Sequence, residues 1–97
     1  MRFGLIGKNL NHSFSKDFFK NKFEILKLKN YQYQNFEINN VKEIINIIKK
    51  NNLKGLNITI PFKSDTLTIV DDIDEHAKNI GSINTLRISN RNIKGYN

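Results

Sequence analysis

Ninety-seven residues suffice for one domain with a modest core and leave no room for a second, nucleotide-binding domain. Cysteine is absent, so disulfides and thiolate metal sites are excluded, and with only two histidines a protein-built zinc site is not expected. The net charge of +7 would suit nucleic acid, but Asn (16), Ile (15) and Lys (13) supply 44 of the 97 residues, all three read from A/T-rich codons. The basic residues are dispersed, with Lys49-Lys50 the one adjacent pair, so a nucleic-acid partner is disfavoured.

In chain order, Arg2 to Gly7 gathers Phe3, Leu5 and Ile6 before a glycine and predicts a buried strand ending in a tight turn. Ser15 can cap the helix that follows. Asp17 suits its first turn, and Phe19, Phe23 and Leu26 recur at helical spacing, which carries the helix to about Leu28. Tyr33 to Ile38 reads as a second strand. Asn40 opens a helix with Glu43 placed as in a capping box, an apolar face of Val41, Ile44, Ile45 and Ile48, and Lys49 and Lys50 at its C-terminal end.

Leu53 to Ile60 is the third predicted strand, after which Pro61 is expected at the first position of a short helix. Another helix is expected after Asp72, with Ile73, His76, Ala77 and Ile80 in register and Gly81 as its stop. Ile83 to Ser89 and Asn92 to Tyr96 form an antiparallel hairpin through an Asn-Arg turn. Alternation of strands and helices predicts an α/β fold: an open three-layer sandwich, a mostly parallel sheet with helices on both faces and a C-terminal antiparallel hairpin. No apolar run reaches the roughly 20 residues that span a bilayer, and MRFGLIGKN reads as strand and turn instead of a signal peptide. A cytoplasmic protein with no membrane partner is expected.

In such a sheet, ligands gather beyond the carboxyl ends of the strands. Ser13 and Ser15 follow the first strand, Thr59 and Lys63 lie at and after the end of the third, and Asn84 follows a Gly-Ser turn. Hydroxyls and helix-start N–H groups can hold a carboxylate, while Thr, Lys and Asn can bind hydroxyls and a carbonyl, so the set suits an acidic, oxygen-rich small molecule. Each residue taken singly has an ordinary use. Ser15 can be only a helix cap, Thr59 a strand residue, Asn84 a turn residue, and His12 a solvated or structural histidine.

The ordered segments GLIGKNLNHSFSKDFF, GLNITIPFK, DDIDEHAKNIGSINTL and KGYN resemble the N-terminal substrate-binding domain of shikimate dehydrogenases over essentially the whole chain. The resemblance implies that Ser13 and Ser15 bind the shikimate carboxylate. It also implies that Thr59, Lys63 and Asn84 contact ring hydroxyls, and that Lys63 is the catalytic lysine in NADPH-dependent reduction of 3-dehydroshikimate, a step of chorismate and aromatic amino acid biosynthesis. Asn57 matches a family asparagine expected to organise the strand end. The family continues after the position of Asn97 with Thr or Ser and then an Asp that pairs with the lysine, and next with a glycine-rich NADP-binding domain. The 97-residue chain alone is therefore expected to be inactive and to bind no NADP, as monomer or homodimer. A quinate/shikimate-type dehydrogenase and a non-catalytic small-molecule-binding module are the other readings.

Overall fold

A computed structural model describes residues 1–10, 15–27 and 30–97, with the backbone alone at 15 and 16. Ser13 and His12 lie outside the described residues. The elements are β1 (Arg2–Gly7), α1 (Ser15–Ile25), β2 (Gln32–Glu37), α2 (Glu43–Asn51), β3 (Leu53–Ile58), a 3-10 turn (Asp65–Thr68), β4 (Asp72–Ile73), α3 (Glu75–Ile80), β5 (Thr85–Ser89) and β6 (Asn92–Tyr96).

Alternation along β1 explains the layers. Leu5 points to one face and Ile6 to the other, so each face of the sheet needs its own cover. Helices α2 and α3 and the 3-10 turn cover one face, where Ile6, Ile44, Leu53, Leu56, Ile83 and Leu86 are buried together. Helix α1 covers the other, setting Phe19 and Phe23 against Phe3, Leu5 and Tyr33.

The six strands lie in the order β2-β1-β3-β5-β6-β4. β1 pairs in parallel with both β2 and β3, β5 runs antiparallel to β3 and β6, and β4 runs parallel to β6. Only β5 therefore opposes the common direction, as expected of a mostly parallel sheet with a C-terminal hairpin. The hairpin turn has positive φ at both Asn90 (49°) and Arg91 (67°), the geometry that twists a two-residue loop into register with its strands. Glycine is the usual occupant of the second position, and a side chain there costs about 1–2 kcal/mol.

Half of the expected capping box forms ahead of α2: Glu43 Oε2 accepts from the Asn40 N–H at 2.9 Å, while Asn40 Oδ1 accepts from the Lys42 N–H at 2.9 Å instead of from Glu43, and the helix itself begins at Glu43. Asp74 caps α3 by accepting from the Ala77 N–H, and Gly81 ends it at φ 75°.

Four expectations are corrected. Pro61 does not start a helix: the Phe62 N–H bonds the Thr59 carbonyl at 3.0 Å across a tight turn with a cis Ile60–Pro61 bond, and helical structure begins only at Asp65. A proline without an N–H suits either place, so composition alone does not distinguish them. β3 ends at Ile58 and not Ile60, because Ile60 turns out into solvent (78% exposed). Helix α1 stops at Ile25, since Lys27 adopts a left-handed backbone (φ 57°) and Leu26 finds no core to join (55% exposed). Asp72 and Ile73 form β4 beside β6, and α3 starts two residues later than Ile73.

Candidate functional site

Because β5 is antiparallel, its first residue lies at the same end of the sheet as the last residues of β1, β3 and β6. Asn57 pairs with Thr85, and Thr85 with Tyr96. Three backbone bonds fasten the polar residues to this end. The Ile58 N–H donates to the Asn84 carbonyl at 2.8 Å, the Ile83 N–H donates to the Lys63 carbonyl at 2.9 Å, and the Thr59 N–H donates to the Ile6 carbonyl at 2.9 Å. Thr59, Lys63 and Asn84, far apart in sequence, are thus anchored around one strand end, with the 59–62 turn folding Lys63 back against Ile83.

Each side chain has local constraints. Thr59 Oγ1 donates to the Ile60 carbonyl at 3.1 Å and lies over Gly7, where a Cβ would stand only 2.7 Å from that oxygen and 2.4 Å from Leu10 Cδ2. Glycine at position 7 therefore lets the chain leaving β1 pass directly over Thr59. Asn84 is held at both ends of its amide: Thr85 Oγ1 donates to its Oδ1 at 2.9 Å, and its Nδ2 approaches Asn97 Oδ1 at 3.5 Å. Asn97 in turn donates to the Ser82 carbonyl at 3.1 Å. Lys63 is half-buried. Ser15 opens α1, so its backbone N–H belongs to the unpaired first turn of a helix; its side chain, like Ser13, is not described.

Sequence reasoning passed over three supporting residues. Tyr33 reaches across β1 to donate its hydroxyl to Asn57 Oδ1 at 2.8 Å, which gives Asn57 the strand-organising part expected of it. Glu37 Oε1 accepts from the Leu10 N–H at 3.1 Å and ties the segment after β1 to the end of β2. Asn97 steadies Asn84 as described. A tyrosine in an alternating strand and an acid at a strand end carry no local mark of these contacts. For Asn97 the terminal KGYN was a signal, although it did not point to Asn84.

The residues fit an oxygen-rich ligand better than a dinucleotide. A dinucleotide cradle needs a glycine whose open side admits the pyrophosphate, and the open side of Gly7 is filled by Leu10 and Thr59. Among the described residues no three His, Cys, Asp or Glu converge to hold a metal, and no helix is long and apolar enough to cross a membrane.

Backbone bonds bring Thr59, Lys63 and Asn84 to the carboxyl end of an open α/β sheet, the end at which domains of this class bind small molecules. The chain belongs to the shikimate dehydrogenase substrate binding domain family, whose sequence model matches residues 5–86. A shikimate dehydrogenase (NADP(+)) of Methanosphaera stadtmanae is 40% identical over 96 residues, which cover 97% of this chain and 34% of that protein. The crystal structure of shikimate dehydrogenase 1 from Peptoclostridium difficile superposes with a TM-score of 0.91 at 37% identity, over 99% of this chain and 36% of that one. A Listeria monocytogenes shikimate 5-dehydrogenase, solved in complex with shikimate and NAD, superposes at 0.90 with 27% identity, over 98% and 33% of the two chains. The chain thus spans about a third of the length of the relatives it matches.

Proposed function

We propose that this chain is the substrate-recognition part of a cytoplasmic NADP-dependent shikimate dehydrogenase, which reduces 3-dehydroshikimate to shikimate. The observation that carries the reading is the anchoring of Thr59, Lys63 and Asn84 around one strand end in a chain of this family. The relatives' names supply the cofactor, and the crowding of Gly7 by Leu10 and Thr59 speaks against the turn after β1 as its cradle.

Within that reading the chain's own groups bind and orient. Ser13 and Ser15, with the N-terminal N–H groups of α1, take the carboxylate of the substrate. Thr59 and the amide of Asn84 take ring hydroxyls; the Thr85 bond to Asn84 Oδ1 leaves the Asn84 amide nitrogen turned toward donation. Lys63 hydrogen-bonds the reacting oxygen and gives it the proton that converts carbonyl to hydroxyl, a contribution of about 10²–10⁴-fold in rate for a well-placed group. Several simultaneous bonds to hydroxyls also give selectivity, since an analogue lacking one leaves a desolvated partner unpaired. The protein works as a monomer or homodimer, with no nucleic acid or membrane involved.

Titration of shikimate into the isotopically labelled chain tests the proposal. Amide shifts are expected at Thr59, Lys63, Asn84 and the start of α1, with affinity at least ten-fold lower in Lys63→Ala and Ser13→Ala. Shifts confined to another part of the surface, or affinity unchanged in both variants, would defeat the reading.

A further inference from the structure

The end of the sheet remote from Lys63 carries a second cleft. The C-terminal turn of α2, the start of β3 and the β5–β6 hairpin enclose about 640 Å³, with Ile48, Leu53 and Ile93 among its apolar lining and Lys49, Lys54 and Arg91 among its polar one. A neighbouring cavity of about 490 Å³ shares Asn52 and Lys54 and adds Met1, Arg2 and Lys50. Among the described residues no Asp or Glu lines either space.

The positive charge there follows from topology. Residues 44–64 and 76–97 contain no acidic residue, and the fold places parts of both stretches against each other at this cleft. Lys49 has an ordinary occupation beside the negative end of α2, whereas Lys54 and Arg91 belong to other elements and gain nothing from that helix. None of the three forms an ion pair with an acidic side chain among the described residues. Arg91 also occupies a left-handed position where glycine would be easier (φ 67°), and it adds a guanidinium to the lining.

We propose that this cleft binds a small amphipathic carboxylate, with its apolar body on the isoleucine-lined wall and its anionic head between Lys54 and Arg91. Inorganic phosphate would leave the apolar wall unused, and a polynucleotide would need stacking rings where the cleft offers aliphatic side chains. The site is separate from the shikimate reading and stands or falls without it.

The test titrates three probes into the labelled 97-residue chain: 2-naphthoate, octanoate and the uncharged 2-naphthalenemethanol. The expected result is saturable shifts at Asn52, Lys54, Ile88 and Arg91 with one or both acids, with binding at least ten-fold weaker for the alcohol. In Lys54→Gln/Arg91→Gln, whose side chains are exposed and outside the core, affinity should fall at least five-fold while the rest of the spectrum stays native. The naphthoate and octanoate arms tell an aromatic acid from a fatty acid. Equal binding of the alcohol, unchanged affinity in the double variant, shifts centred beneath α1, or no saturable shift would each overturn the proposal. So would a single-stranded oligonucleotide that shifts this end in a salt-sensitive way where neither acid does.

Discussion

The two faces of the sheet are built differently. Beneath α2 and α3 the cover is aliphatic and deep: Ile6, Ile44, Ala77, Ile83 and Leu86 are all fully shielded from solvent. Beneath α1 it is aromatic and narrow. Phe19 stacks on Tyr33 at 4.6 Å between ring centroids, Phe23 meets Phe3 and Tyr31, and among the described hydrophobic side chains there only Leu5, Leu10 and Tyr33 are buried. Past α1, over β3 and β5, a cleft of about 540 Å³ runs along Gly55, Asn57, Thr85 and Arg87. Side-chain alternation puts Asn57, Thr59 and Thr85 on this thin face. One face holds the strands in place, and the other leaves part of the sheet uncovered.

The sharpest way to break that division is to cut into the thick face. Ile44 is fully buried on α2, and Ile44→Ala should destabilise the chain by about 2–5 kcal/mol, read by urea unfolding. A loss below about 1 kcal/mol would mean that the aliphatic layer does not carry the fold.

Two glycines sharpen the comparison because each guards a different face. At Gly95 a Cβ would stand 2.5 Å from Cδ1 of the buried Ile83, so Gly95→Ala should cost about 1–3 kcal/mol of stability by overpacking the thick face. At Gly7 the obstruction is Leu10 and Thr59, both belonging to the thin face. Gly7→Ala should shift the Thr59 amide and lower shikimate affinity at least five-fold, with a smaller stability loss than Gly95→Ala. Equal stability losses and an undisturbed Thr59 would erase the distinction between the faces.

What sequence could and could not anticipate follows the range of the physics. Local rules found α2 through Asn40 and Glu43, the end of α3 through Gly81, and the hairpin through Asn90-Arg91, because each signal lies within a few residues of its effect. β4 escaped because two residues carry no period, and Pro61 because its missing donor is harmless in a turn as in a helix start. For the site, the residue types were legible. The bonds that gather them, from Ile58 to Asn84 and Ile83 to Lys63, join residues more than 15 positions apart, and no pattern along the chain encodes such closure. The same holds for charge: Lys54 and Arg91 look dispersed until the sheet brings their segments together.

The smallest effect expected is also the most selective. Tyr33 sits on β2 and Asn57 on β3, with β1 between them, so the 2.8 Å bond from the tyrosine hydroxyl braces the thin face across three strands near the end where Thr59 lies. Tyr33→Phe keeps the ring that stacks on Phe19 and removes the hydroxyl that bonds Asn57. A single neutral hydrogen bond of this kind is worth about 0.5–1.5 kcal/mol, so the unfolding midpoint should move only slightly. The freed Asn57 carboxamide sits two residues before Thr59, and its release should appear as amide shifts along 57–59 and as a two- to five-fold loss of shikimate affinity. The buried aliphatic residues on the opposite face should keep their native signals. If Tyr33→Phe instead perturbed both faces alike, the thin face would be as much a part of the structural core as the thick one, and the polar strand ends would owe their positions to the whole sheet.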